Sequence, residues 1–116
     1  MTTQRASLFP GFTSTHLKTL GGMLLCATRL QQVIDSPGAM SAAWRDRADE
    51  LVDEALRVAD AAAASQRGAA VRVTLRDGTA VIADLDYLDG LVRKMHRHHS
   101  LGMLQTALAD SQLVAS

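Results

Sequence analysis

Residues 71–83 read VRVTLRDGTAVIA, and this segment decides the fold class. Apolar and polar side chains alternate over residues 71–75, which is the pattern of a half-buried β-strand. The dipeptide Asp77-Gly78 is typical of a two-residue hairpin turn, in which both central residues take positive φ. A second apolar run follows the turn at once. The segment therefore predicts a β-hairpin.

The length of the turn also predicts which side of the hairpin is buried. A two-residue loop pairs Arg76 with Thr79 and Val73 with Ile82. Because side chains alternate between the two faces of a strand, this register places one set of apolar residues on the inner face. That predicted inner face comprises Val71, Val73, Leu75, Ala80 and Ile82. A lone two-stranded sheet is not stable, so the face must pack on helices or pair with another chain.

A first amphipathic helix is predicted upstream, capped by Thr13 or Ser14 and extending to about Asp35. Its apolar stripe recurs at spacings of three and four and comprises Leu20, Met23, Ala27, Leu30 and Ile34, widened by Leu17, Leu24 and Val33. Gly21 and Gly22 interrupt the helix at a cost of about 1 kcal/mol each relative to Ala. Their expected benefit is the close approach of another backbone, or a kink.

A second amphipathic helix begins near Pro37 or Ser41 and ends at Gly68, a residue type that commonly terminates helices. Its apolar stripe comprises Trp44, Ala48, Leu51, Ala55, Val58 and Ala62. Charged residues cover the other face, where Asp53 and Arg57 form a four-apart ion pair. The short link between the two helices predicts an antiparallel helix hairpin.

A third helix follows the β-hairpin, with Asp84 or Asp86 as its cap. Its apolar stripe comprises Leu85, Leu88, Val92, Met95 and His99. The helix extends to about Asp110, either unbroken or interrupted between Ser100 and Gly102. The predicted fold class is therefore helix-rich α+β, with an antiparallel helix hairpin, a two-stranded β-hairpin and one or two C-terminal helices.

The length of 116 residues fits one domain, predicted at 13–110 between an irregular arm at 1–12 and a frayed tail at 111–116. Twelve basic residues balance twelve acidic ones, so no general attraction to nucleic acid or anionic membranes is expected. The apolar run at 20–27 is too short and too interrupted for a membrane span or an export signal. The lone Cys26 excludes an internal disulfide and agrees with a cytoplasmic location.

No residue pattern predicts catalysis, a cofactor or a metal centre. His96 and His99 share a helix face, but the sequence offers no further metal ligands at suitable spacing. The glycines do not form a phosphate-binding loop, and no serine lies in a nucleophile elbow. Cys26 falls within an apolar helix, where a thiol packs as a small hydrophobe. We therefore expect a non-enzymatic protein without catalytic, cofactor-binding or metal-binding residues.

The first helix carries more apolar surface than one neighbouring helix covers, and monomers rarely expose such a patch. This predicts a homo-oligomer and a protein-interaction or assembly module with an unidentified protein partner. The candidate interaction residues are Leu20, Met23, Leu24, Leu30, Arg93 and Arg97. The basic cluster at 93–99 keeps a nucleic-acid-associated regulator open as the alternative, disfavoured because stacking aromatics are missing there. No membrane partner is expected.

Two segments resemble known families. Residues 16–20, His-Leu-Lys-Thr-Leu, resemble the phospho-acceptor segment of histidine kinases, His-Glu-Leu-Arg/Lys-Thr-Pro-Leu, without its Glu and Pro. That resemblance implies histidine phosphotransfer at His16. The order of helix, Asp-Gly hairpin and helix over residues 41–95 is similar to that of the small head–tail joining protein of lambda-like phages. This second similarity is one of shape.

Overall fold

The computed structural model describes residues 11–36 and 40–115, with side chains up to Leu104. Its elements in chain order are α1 (Ser14–Asp35), α2 (Ala42–Ala64), β1 (Val71–Thr74), β2 (Ala80–Ala83) and α3 (Leu85–Ala115). Contacts between the helices show that α2 runs antiparallel to both α1 and α3, so that α1 and α3 lie parallel. The predicted α+β fold class is confirmed.

Helix α1 has a cap at each end. The Thr13 hydroxyl accepts a hydrogen bond from the His16 backbone N–H at 3.2 Å. At the other end, the Arg45 guanidinium of α2 donates to the carbonyls of Ile34 and Ser36. Because the last carbonyls of a helix lack partners within it, this arginine satisfies two acceptors at the end of α1 and joins α2 to α1.

Helix α2 begins as predicted but ends earlier. Ser41 caps it by accepting from the Trp44 N–H at 3.1 Å, and all six residues of its predicted stripe are buried. The predicted end at Gly68 is wrong, because the helix stops at Ala64. Gly68 has φ +121°, and a Cβ on Gly11 would lie 2.6 Å from the Gly68 Cα. The missing side chain of Gly11 therefore permits a close crossing of two chain segments, and the positive φ of Gly68 favours glycine at that position.

The β-hairpin forms, but the predicted two-residue turn is wrong. Leu75 N–H donates to the Thr79 carbonyl at 2.8 Å, and Gly78 N–H donates to the Leu75 carbonyl at 2.9 Å. The loop therefore has three residues, and among them only Gly78 takes positive φ, at +91°. Asp77 instead accepts a hydrogen bond from the Thr79 N–H through its carboxylate. A turn that ends in a left-handed glycine is the usual three-residue hairpin loop.

The longer loop shifts the register by one residue. Val73 pairs with Val81 rather than with Ile82, and Thr74 pairs with Ala80. Since a shift of one residue exchanges the two faces of a strand, β2 turns its other side inward. Ala83 is buried, whereas Ile82, predicted to face inward, is 57% exposed. The inner face of β1 is as predicted, and that of β2 is corrected.

Helix α3 starts at the predicted cap, since the Asp84 carboxylate accepts from the Tyr87 N–H at 2.9 Å. It continues without a break through residues 100–102 and extends to Ala115, beyond the predicted end near Asp110. Gly102 lies against the Trp44 indole, and a Cβ there would be 2.5 Å from its Nε1. This glycine therefore permits a close helix contact and does not end the helix.

Candidate interaction surface

The structure separates the predicted interaction residues of α1. Leu20, Met23 and Leu30 are at most 1% exposed and belong to a hydrophobic core that includes residues of all five elements. Their assignment to an open surface is corrected, because α3 packs against α1 in addition to α2. The predicted open patch assumed that one helix covers α1, whereas two helices pack on it. Leu24, by contrast, is half-buried and reaches the surface.

Leu24 lies in an open groove of about 290 Å3 between α1 and α2. The lining residues are Leu24, Ala27, Thr28, Gln31, Gln32, Asp35, Val52 and Leu56. Among the described residues of this lining, only Asp35, at one end, carries a charge. Leu56 forms part of the α2 wall and is 50% exposed. The groove therefore offers an apolar surface to a partner.

The apolar surface extends from the groove along α1. Leu25 is 51% exposed and precedes the lining residue Thr28 by three positions, which places both on one helix face. Gly21 lies one turn before Leu25 and is exposed. A Cβ on Gly21 or on Gly22 would meet no atom of the described chain within 4 Å. The close backbone approach expected from these glycines therefore has no partner within that part of the chain.

The interaction residues predicted from the sequence include neither Leu25 nor Leu56. Its position in the helix could have identified Leu25, because it falls among polar residues on the outer side of α1. Thr28, Arg29 and Gln32 share that side and are exposed. A large apolar side chain on a polar helix face marks a surface that another molecule can cover.

Arg93 and Arg97, the two predicted interaction residues of α3, are exposed together with Lys94. None of the three forms an ion pair with a residue that the structure describes. Lys18 of α1 and Arg93 line one depression, of about 330 Å3. Arg47 of α2 lines a second, of about 190 Å3, with Lys94 and Arg97. The basic cluster thus extends from α3 to both neighbouring helices.

The histidines of α3 contact different neighbours. His96 Nε2 is 3.3 Å from the Cys26 Sγ, whereas His98 stacks on Trp44 with ring centroids 4.7 Å apart. Trp44 in turn donates from its indole Nε1 to the His98 carbonyl at 3.0 Å. Burial raises the pKa of the Cys26 thiol, which favours its neutral form. Within residues 11–36 and 40–104, no three His, Cys, Asp or Glu side chains are grouped to hold a metal ion.

His16 is enclosed at the start of α1. It is 8% exposed, its Nδ1 lies 2.6 Å from the Thr13 hydroxyl, and its ring packs edge-on against Phe12. A phosphoryl-accepting histidine must present a ring nitrogen to its donor. This enclosure argues against the role that the kinase resemblance implies.

Ion pairs join the hairpin to the charged face of α2. Asp53 binds Arg57 at 2.7 Å, as predicted, and Arg76 at 3.5 Å. Arg76 also binds Asp49 at 3.0 Å, so it is paired and lies apart from the basic cluster of α3. The hydrogen bond from Arg57 and the charge of both arginines lower the pKa of Asp53. These contacts tie the hairpin to α2.

Tyr87 adds a further link between α3 and the charged face of α2, because its hydroxyl donates to the Glu54 carboxylate. Burial and this carboxylate raise the pKa of Tyr87.

No known protein family, curated protein or solved structure matches the chain. Over the part that the structure describes, none of the helices combines the length and apolar character needed to cross a bilayer.

Proposed function

We propose that this chain is a small non-enzymatic assembly module that self-associates through the α1–α2 groove. The observation that carries the proposal is a pair of half-exposed leucines, Leu56 in the α2 wall of the groove and Leu25 at the outer edge of α1, one turn from the lining residue Thr28. Gly21 lies on the same edge and faces open space. A mid-helix glycine costs about 1 kcal/mol relative to Ala, and a partner backbone at this position would offset that cost.

The proposed occupant of the groove is a second copy of the chain. In a twofold contact both protomers use the same patch, so each exposed leucine is buried in both copies. Removal of apolar surface from water contributes about 25 cal/mol per Å2. Since Asp35 is the only charge among the described residues that line the groove, apolar packing dominates the proposed contact. The association should therefore depend weakly on salt.

Analytical ultracentrifugation tests self-association directly. We expect a dimer or larger species at micromolar concentration, with little change between low and high salt. Leu25→Glu and Leu56→Glu should each shift the equilibrium towards monomer. Both side chains are half-exposed, so neither substitution should disturb the core. A wild-type chain that sediments as a monomer would contradict the proposal.

A matched control separates the groove from general surface hydrophobicity. Ile82 is 57% exposed on β2 and does not line the groove. Ile82→Glu changes the same kind of side chain by the same charge, and it should leave the sedimentation profile unchanged. Circular dichroism of each variant confirms that the helices remain. If all three variants dissociated equally, the result would contradict the assignment of the contact to the groove.

We extend the proposal to an unidentified protein partner and to a cytoplasmic location. A chain whose groove is shared between copies can present its remaining surfaces to another protein. The location is proposed because the lone thiol of Cys26 suits a reducing compartment. Co-purification from the source cell under non-denaturing conditions tests the partner, and fractionation tests the location.

A further inference from the structure

We propose that the outer surface of α3 binds the phosphate backbone of double-stranded nucleic acid. The basic face is defined by Lys18, Arg47, Arg93, Lys94 and Arg97. This proposal is independent of self-association, because the depressions at the basic face share no lining residue with the α1–α2 groove. It assigns a second surface and a second kind of partner.

The centre of the basic face is a run of α3 without acidic residues. Residues 90–104 contain Arg93, Lys94 and Arg97 and no Asp or Glu. Arg93 and Arg97 are one turn apart, about 6 Å along the helix axis. All three cations are exposed and unpaired among the described residues. Their charge is therefore available to a ligand.

The two flanking cations widen the face across the molecule. Lys18 shares a depression with Arg93, and Arg47 shares one with Lys94 and Arg97. Two carboxylates lie at the margins. Asp89 lines the depression of Lys18, and Glu50 binds Arg47 at 3.0 Å. Five cations against two carboxylates leave a local positive excess.

Charge is segregated within a chain that is neutral overall. On the hairpin side of α2, Arg57 and Arg76 are neutralised by Asp53 and Asp49. The cations of α3 have no such partners among the described residues. A neutral protein can therefore present a positive surface that attracts a polyanion at close range.

The composition of the face favours a duplex over a single strand. Single-strand binding relies on exposed aromatic rings that stack on bases. Trp44, which stacks on His98 at the depression of Lys94 and Arg97, is only 4% exposed. Arginine and lysine without such rings suit contacts to phosphates, which position a protein on a duplex without reading its sequence. We therefore expect binding with little sequence preference.

Fluorescence anisotropy with a short, mixed-sequence DNA duplex tests the proposal. One phosphate contact for each of the three unpaired cations of α3 predicts a slope of about −2.7 in a log–log plot of affinity against salt concentration. A fourfold rise in salt should therefore weaken binding by about 40-fold. A wild-type chain that fails to bind the duplex at micromolar concentration in low salt overturns the proposal. Polyglutamate that competes as well as DNA at equal charge also overturns it, in favour of an acidic protein partner.

A pair of double variants locates the contact. Arg93→Gln/Arg97→Gln should reduce the magnitude of the salt slope by about 1.8 and weaken binding at least tenfold. Arg67→Gln/Arg72→Gln removes the same charge from exposed residues at another depression, and it should leave binding near wild type. These side chains lie outside the core, so both variants should fold. Equal losses in the two variants would show general charge attraction and overturn the assignment to α3.

Discussion

Gly102 carries a packing role that only the folded chain reveals. In sequence it marks a point where the third helix could break, because glycine is unfavourable within helices. In the structure it lies under Trp44, whose indole also bonds to the His98 carbonyl. The absence of a side chain allows α2 and α3 to approach at this point. Two helices are thus held together by the combination of a glycine and a tryptophan.

Gly102→Ala should destabilise the protein by about 1–3 kcal/mol, because the added methyl group collides with the Trp44 ring. Trp44 is the only tryptophan, so its fluorescence should shift to longer wavelength as the ring becomes exposed. Gly90→Ala is the control, since a Cβ there meets nothing within 4 Å. That variant should gain up to about 1 kcal/mol in urea unfolding. Equal stability of the two variants would contradict the packing role.

Asp53 should make the free energy of unfolding depend on pH in the acid range. Its hydrogen bond with Arg57, together with Arg76, lowers its folded-state pKa below the unfolded value. Its contribution is therefore present above the unfolded pKa and is lost as pH falls through the folded pKa. Asp53→Asn should cost no more than about 1 kcal/mol at neutral pH, because the pair is partly exposed to solvent. The stabilities of Asp53→Asn and of the wild type should converge as the pH is lowered.

Asp60→Asn is the matched control for that pH series. Asp60 is exposed on the same helix and forms no ion pair with a described residue. Its replacement should leave urea unfolding unchanged across the acid range. If the difference in unfolding free energy between Asp53→Asn and wild type persisted unchanged below the pKa of Asp53, the effect would come from packing rather than from charge.

At the scale of elements, long periodic patterns predicted the helices well. The α2 stripe repeats over six positions, and every one of them is buried. The hairpin was predicted in place but not in register, because Asp77-Gly78 is compatible with loops of two or three residues. Packing of β2 on the helices decides between them, and the apolar run of residues 80–83 offers both faces similar side chains. Local sequence could not make that choice.

The corrected register predicts an order of mutational effects in β2. Val81 is half-buried and packs against the core, whereas Ile82 is exposed. Val81→Thr should cost about 1 kcal/mol, because a hydroxyl is placed at the core margin. Ile82→Thr should change stability by less than about 0.5 kcal/mol. Urea unfolding of the two variants decides, and the reverse order would favour the two-residue turn.

At the scale of the molecule, the candidate surfaces were only partly predictable. The sequence identified Leu24 and the basic cluster, but it could not show that Leu20, Met23 and Leu30 are covered in a core to which both α2 and α3 contribute. That coverage depends on how three helices meet, which no periodic pattern encodes. Exposed leucines outside the main stripes became meaningful only when the groove between α1 and α2 was seen.

The two proposed surfaces should act independently. A Leu25→Glu/Leu56→Glu double variant is expected to be monomeric in ultracentrifugation yet to bind a DNA duplex with an unchanged salt slope per chain. The Arg93→Gln/Arg97→Gln variant is expected to remain associated while losing the duplex. The physical reason is that apolar contact is insensitive to salt, whereas phosphate contact releases counterions. Loss of both activities in either variant would show that the surfaces are coupled.

The parallel packing of α1 and α3 has a consequence for the order of folding. Cys26 and His96, which touch across that contact, are 70 positions apart in the chain, whereas α1 and α2 are neighbours. Local contacts close at lower entropic cost and form sooner. During synthesis the α1–α2 pair also emerges before α3, and the side of the pair on which α3 later packs is then uncovered. Until α3 docks, a neighbouring nascent chain can supply its own α3, which makes this interface a route to domain-swapped assemblies.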